Sequence, residues 1–149
     1  MSPHEITQYL IQHYPGITPV DSWGETSFFY NPEAKLPRGV YFATLKEKDG
    51  DNDKASALDR TDVFRFNFSL SQKSYISNFG DKPSRPAAGG IIATGYDFTQ
   101  LNCLMPHPIY GWMSWVCILN PNSERFYALK PLLDESYALV LKKYAKRLK

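Results

Sequence analysis

The chain has 149 residues, of which 43% are hydrophobic and 21% are charged, and its formal net charge at pH 7 is +2. These values are ordinary for a globular protein, and the length suits one domain that buries its own core without disulfides or metals. We therefore expect a single domain over residues 1–149. The small positive charge permits nucleic-acid binding and does not by itself predict it.

The cysteines and the hydropathy pattern indicate the compartment. Cys103 and Cys117 provide no disulfide framework, and no apolar run approaches the ~20 residues of a membrane helix. The chain also begins without the charged and then apolar segments of a signal peptide. We expect a cytoplasmic protein with reduced thiols and no membrane partner.

A helix is predicted at the start of the chain. Ser2 is a capping residue, Pro3 suits the first helical position, and Glu5 completes a capping box. Pro15-Gly16 ends this helix.

Three strands are predicted next. The segment from Ile17 to Asn31 favours two short strands joined at Trp23-Gly24-Glu25, and Val40 to Lys46 favours a third. The charged residues 47–54 that follow have the Asp-x-Asn/Asp spacing of a calcium loop. They lack the helical flanks and the closing glutamate of an EF-hand, so we interpret them as a solvated turn.

The clearest alternation lies between Asp62 and Leu70. Its apolar side chains are Phe64, Phe66, Phe68 and Leu70. Arg65, Asn67 and Ser69 alternate with them. This pattern predicts an antiparallel strand with one covered face and a polar face directed toward solvent or a cleft.

The segments between this strand and residue 104 are predicted from turn residues and spacing. A short helix is expected over Ser71 to Phe79, ended by Gly80, because the run has helical spacing. The Pro- and Gly-rich stretch from Asp81 to Gly95 predicts a mobile loop. Asp97 is expected to cap a short helical piece over Phe98 to Leu104.

The last third of the chain contains a rigid segment, a strand and a helix. Pro106-His107-Pro108 cannot be helical. The apolar run from Trp112 to Leu119 predicts a central strand that buries Trp115, because both of its faces are apolar. Ser123 is expected to start a helical turn, and Pro131 to open the terminal helix. The fold class is therefore α+β, with a mainly antiparallel sheet and the N- and C-terminal helices packed on one side.

Two segments resemble the signatures of a bacterial family of short proteins with no assigned function. The first is Leu58-Asp59-Arg60-x-x-Val63-Phe64-Arg65-x-Asn67, and the second is Leu104-Met105-Pro106-His107-Pro108-x-Tyr110 continued by Trp115-Val116-x-x-Leu119-Asn120-Pro121. Together with similar segments near both ends, the resemblance covers nearly the whole chain.

A more distant resemblance is to the MmcQ/YjbR-like group. Trp115-Val116 and Ser136-Tyr137-Ala138-Leu139-Val140 are similar to its tryptophan-bearing strand and terminal helix. The group has a CyaY-like α+β fold, and some members have been called double-wing DNA-binding proteins on fold grounds. The resemblance implies a single MmcQ/YjbR-like domain and a DNA-binding role, although a fold does not determine a function.

His107 is the first candidate site residue. Pro106 and Pro108 fix the position of His107, so its ring could serve as a metal or substrate ligand or as a general base. We favour a structural histidine bonded to a backbone carbonyl, since no second catalytic group is fixed by spacing. A Cys103–His107 dyad is disfavoured because the prolines break the helical spacing. The histidines His4, His13 and His107, without a Cys-x-x-Cys pair, predict no metal site.

Two polar groups of residues are further candidates. A polar patch for an anionic or amide-bearing ligand could be formed by Asp59, Arg60, Arg65 and Asn67. We favour the alternative, in which an Asp/Arg ion pair lies beside a solvated strand face. The terminal helix carries a basic cluster near its end. Its members are Lys142, Lys143, Lys146 and Arg147. They could contact phosphates, although lysines at a helix end are also favoured by the dipole alone.

These patterns predict a binding protein more than an enzyme, with no cofactor. The expected partner is nucleic acid, bound through the basic end of the terminal helix. The alternative is a small-molecule-binding or hydrolytic protein with a pocket around His107, Tyr110, Arg65 and Asn67. A continuous basic surface would favour the first, and a closed pocket with convergent polar groups would favour the second. The patterns predict no particular oligomeric state.

Overall fold

A computed structural model describes the whole chain, residues 1–149. Six antiparallel strands form one sheet in the order β1-β2-β3-β4-β6-β5. The strands are β1 (Ile17–Ser22), β2 (Glu25–Tyr30), β3 (Val40–Lys46), β4 (Arg65–Ser69), β5 (Met105–Pro106) and β6 (Trp115–Leu119). The helices are α1 (Pro3–His13), α2 (Gln72–Phe79), α3 (Ser123–Ala128) and α4 (Lys130–Arg147). The predicted α+β class, with an antiparallel sheet and helices at both ends of the chain, is confirmed.

Local sequence explains how the first elements form. The capping box of α1 is present: Ser2 Oγ accepts from the Glu5 N–H at 3.1 Å, and Glu5 Oε1 accepts from the Ser2 N–H at 3.0 Å. β1 and β2 form a hairpin whose two turn residues, Trp23 and Gly24, both have positive φ angles of 52° and 77°. A two-residue hairpin turn with this geometry matches the twist of the flanking strands.

The main core lies on the sheet face that the terminal helices cover. It is a cluster of 21 buried residues, and β4 contributes Phe66 and Phe68 to it, both fully buried. Ile6 of α1, Phe126 of α3 and Val140 of α4 pack on the same face. Burying such side chains stabilises the fold by about 1.5–3 kcal/mol each. The apolar face predicted for β4 is therefore the core face.

Loops, instead of solvent, cover the other face of the sheet around β4 and β6. A second cluster joins Cys117 and Leu119 of β6 and Met105 of β5 to side chains from the loops. Leu58 comes from the segment between β3 and β4, and Ile92 and Phe98 come from the segment between α2 and β5. The prediction that Arg65, Asn67 and Ser69 look toward solvent or a cleft is wrong, because at most 6% of each is exposed.

Three local predictions in the last third are corrected. Residues 98–104 form no helix. Gly111–Met113 is a 3-10 turn, and Ser114 has a φ of 70°, so β6 begins only at Trp115. β6 is separated from the sheet edge only by the two-residue β5, and Trp115 is partly exposed instead of buried. No helix is both long and apolar enough to cross a membrane.

Candidate functional site

A charged side chain is buried under the loops of the second face. Arg65 is the first residue of β4, where it pairs with Lys46 of β3 and Leu119 of β6. Only 1% of Arg65 is exposed. A buried guanidinium keeps its charge and needs partners that replace its lost water.

The partners of Arg65 come from the loop after β3 and from β4 itself. Nη1 donates to Asp53 Oδ1 and to Ser56 Oγ, each at 3.0 Å, and Nη2 donates to Asp53 Oδ2. Nε donates to Asn67 Oδ1 at 2.8 Å, and the Asn67 amide donates to Thr44 Oγ1 at 2.9 Å. A two-point contact between a guanidinium and a carboxylate is among the stronger hydrogen-bonded pairs in proteins. We define the buried polar cluster as Thr44, Asp53, Ser56, Arg65, Asn67 and His107.

His107 joins the cluster from the opposite side. Its Nε2 lies 3.4 Å from Arg65 Nη2, and only 3% of the residue is exposed. Its Nδ1 accepts from the backbone N–H groups of Ile109 and Tyr110, each at 3.1 Å. The ring therefore caps the turn that follows it, with Pro108 in the first position, where a missing N–H leaves nothing unpaired. This accounts for a proline directly after the histidine.

The surroundings keep the His107 ring uncharged. Burial, and then the nearby positive charges of Arg65 and Lys46, hold the pKa of His107 well below its usual value of 6.5. Burial also raises the pKa of the Cys117 thiol to about 12. Cys117 is therefore an inert thiol in the second cluster.

The structure brings together most of the residues named for the candidate ligand pocket. His107, Arg65 and Asn67 lie together on one face, and the Tyr110 ring centroid is 5.0 Å from that of His107. His107 is buried, and it bonds to backbone N–H groups instead of the carbonyl that we expected. Of the four residues, Tyr110 alone is exposed, with 49% of its surface accessible.

Asp59 and Arg60 fasten the loops and do not pair with each other. Asp59 Oδ1 accepts from the Asp49 N–H at 3.0 Å. Arg60 donates to the carbonyls of Ser56 and Thr99, each at 3.0 Å. Both side chains therefore tie together the segments that cover the buried polar cluster.

Sequence reasoning missed Asp53, Ser56 and Thr44. Asp53 lies in the charged stretch that we interpreted as a solvated turn, yet its side chain is only 16% exposed and pairs with Arg65. A polar strand face that bears an arginine could have suggested a carboxylate partner, but several aspartates precede β4 and spacing does not choose among them. No group of three or more His, Cys, Asp or Glu side chains is arranged to hold a metal ion.

The predicted basic cluster forms one exposed surface, which we call the basic helix end: Lys142, Lys143, Lys146 and Arg147. None of the four forms an ion pair with a carboxylate. Arg147 Nη1 donates to the Gly39 carbonyl at 3.0 Å. This bond holds the connection between β2 and β3 against the helix.

An open groove is lined by none of the residues of the buried polar cluster. It has a volume of about 560 Å³ and separates the start of α1 from the β1–β2 hairpin. Trp23, which is 92% exposed, stands at its side, and no member of the buried polar cluster lines it. The pocket expected for a small-molecule site at His107 is thus not this groove.

Comparisons with known proteins leave the function open and give the family. No curated protein and no solved structure matches the chain. The likeness to the MmcQ/YjbR-like group accordingly stays a prediction. A family model described as a family of unknown function (DUF6194) matches residues 1–149. The resemblance to a family without an assigned function is confirmed, and the chain belongs to this family of unknown function.

Proposed function

We propose that this protein binds nucleic acid through the basic helix end. The observation that carries the proposal is a set of exposed, unpaired cations on the last turns of α4: Lys142, Lys143 and Lys146. Ionic contacts of lysine with phosphates release counterions, and this supplies most of the affinity of sequence-independent binding. The protein would act as a binding module without chemistry of its own.

The arrangement of the cations supports a backbone contact. Lys142 and Lys146 are one helical turn apart and point away from the core, into which Val140 and Tyr144 pack. No acidic residue occurs between Leu139 and Lys149, so the last turns of α4 carry a single sign of charge. The cytoplasmic location expected from the sequence is compatible with such a partner.

A small-molecule pocket at His107 has less support. The side chains that would converge on a ligand, Arg65 and Asn67, are instead hydrogen-bonded to Asp53 and Thr44. A ligand that bound to Arg65 and Asn67 would have to displace these partners. Each buried polar group that is then left unpaired costs about 1–3 kcal/mol.

The test is binding of a fluorescently labelled DNA duplex, followed by anisotropy at several salt concentrations. Contacts with three phosphates would weaken binding about forty-fold between 50 and 200 mM salt, from a slope of about −0.9 per contact. The variant K142Q/K143Q/K146Q should lose more than tenfold in affinity at low salt and flatten the salt dependence.

A matched control separates the local surface from net charge. K48Q/K54Q/K73Q removes the same number of positive charges at exposed sites that form no ion pairs. It should bind DNA nearly as well as the parent protein. Absence of binding by the parent at low salt, or an equal loss in both triple variants, would contradict the proposal.

A further inference from the structure

Trp23 is the most exposed large apolar side chain of the protein, and folding does not account for it. It is 92% exposed and belongs to neither hydrophobic cluster. Its φ of 52° lies in the left-handed region, which disfavours a large side chain and which Asn or Gly adopts more easily in a hairpin turn. The ring adds no buried area to the core, and the turn would form better without it. Such a side chain is typical of an anchor that a partner buries.

The open groove at the side of Trp23 is acidic. It carries the carboxylates of Asp21, Glu25 and Glu47, and no lysine or arginine lines it. Lys46 pairs with Glu25 at 3.3 Å, whereas Asp21 and Glu47 form no ion pair. An indole ring attracts an ammonium or guanidinium group, and a free carboxylate pairs with it. This acidic groove therefore fits a cationic side chain of a partner.

Lys48 lies beside the same turn without occupying the groove. Its stem crosses Gly24, where an added Cβ would clash with Lys48 Cε. Lys48 is exposed, forms no ion pair and does not line the groove. It offsets part of the negative charge and leaves the two free carboxylates available.

The complementary surface on this chain is the basic helix end, which lies at the opposite end of β3. Arg147 donates to the carbonyl of Gly39, directly before β3. Glu47 directly follows β3, and its N–H donates to the Gly24 carbonyl at 2.9 Å. The strand has seven residues and spans about 20 Å. The two surfaces are therefore too far apart to pair within one chain.

We propose that the acidic groove receives the basic helix end of a second copy of this chain. A lysine of the second copy lies against the Trp23 ring and pairs with Asp21 and Glu47. Because two different surfaces meet, each dimer keeps one free groove and one free helix end, and assembly continues head to tail. This contact goes beyond the proposed nucleic-acid binding and does not rest on it, although both use the same lysines.

The test is sedimentation velocity of the purified protein without nucleic acid, over a concentration series up to about 1 mM. At roughly 50 mM salt, the average mass should rise with concentration and exceed that of a dimer. At roughly 200 mM salt it should rise far less, because salt screens exposed charges. A protein that stays monomeric over the whole series, or an assembly that salt does not weaken, overturns the proposal.

Trp23→Asn separates docking from folding. Asparagine suits the left-handed position, so the urea midpoint should equal or exceed that of the parent. The association constant should fall about tenfold, because the ring that holds the cation is lost. Lys48→Gln is the matched control, since it removes a charge beside the groove, and it should not weaken the association. Association of Trp23→Asn with the parent's affinity overturns the proposal.

A mixture of two defective variants tests the head-to-tail geometry. W23N/D21N/E47Q keeps the basic helix end, and K142Q/K143Q/K146Q keeps the acidic groove, so each alone should be monomeric. Mixed one to one, they should form a dimer with the affinity of the parent contact and nothing larger. Absence of this dimer between two folded variants overturns the proposal. A parent protein that assembles in this way without binding DNA contradicts only the proposed function.

Discussion

Asp53→Ala is the substitution that tests the buried polar cluster most directly. It removes both carboxylate contacts of Arg65 and leaves a guanidinium that is 1% exposed without its counter-charge. Breaking a fully buried ion pair from one side costs about 3–5 kcal/mol. The Asp53 side chain retains 16% exposure, so water can enter, and we expect a loss near the lower limit, about 3 kcal/mol.

Urea denaturation measures this loss. With a slope of about 2 kcal/mol/M for a chain of this size, the midpoint should fall by about 1.5 M. Asp51→Ala is the control, because Asp51 is exposed in the same loop and forms no ion pair. It should change the free energy of unfolding by less than about 0.5 kcal/mol. A loss below about 1 kcal/mol for Asp53→Ala would refute the idea that Asp53 neutralises a buried charge.

Two further expectations concern His107 and the cysteines. Because the folded-state pKa of His107 lies below the value of 6.5 expected when the chain is unfolded, its contribution to stability is complete above that pH and is lost as pH falls. Between pH 7.5 and 5.5 the parent should lose more stability than His107→Asn in urea melts, by at most about 1.4 kcal/mol, and equal losses would contradict this. Partly exposed Cys103 should react with a thiol reagent in the native protein, whereas Cys117, with its pKa raised to about 12, should react only on unfolding. Native labelling that persists in Cys103→Ser would contradict the burial of Cys117.

Local signals predicted the elements whose formation depends on neighbouring residues. The capping box of α1 and the ends of β3 follow the sequence pattern, and α2 is capped by Ser71 and ended at Gly80. Such features depend on residues a few positions apart, and sequence spacing shows them directly.

The second face could not be predicted in the same way. The alternation of polar side chains in β4 is identical whether water or loops cover them, so Arg65 and Asn67 were expected at a surface. Their partners Asp53 and His107 are 12 and 42 positions from Arg65. No spacing rule links these positions, because long irregular loops bring them together. Trp115 was misplaced because Ser114 adopts a left-handed conformation that delays the start of β6.

The two segments that carry the family resemblance meet at the second face. Arg65, from the first, contacts His107, from the second, and the Asn120 side chain accepts from the Phe64 N–H at 2.9 Å while donating to the Asp62 carbonyl at 2.8 Å. The basic helix end belongs to neither segment.

The basic helix end and the buried polar cluster should respond to different substitutions. K142Q/K143Q/K146Q should lower DNA affinity and leave the free energy of unfolding nearly unchanged, since no member of the buried polar cluster lies on α4. His107→Asn should leave the DNA affinity and its salt dependence unchanged. Loss of DNA binding in a folded His107→Asn protein would contradict this separation, and it would mean that the nucleic-acid surface includes the loops over Arg65.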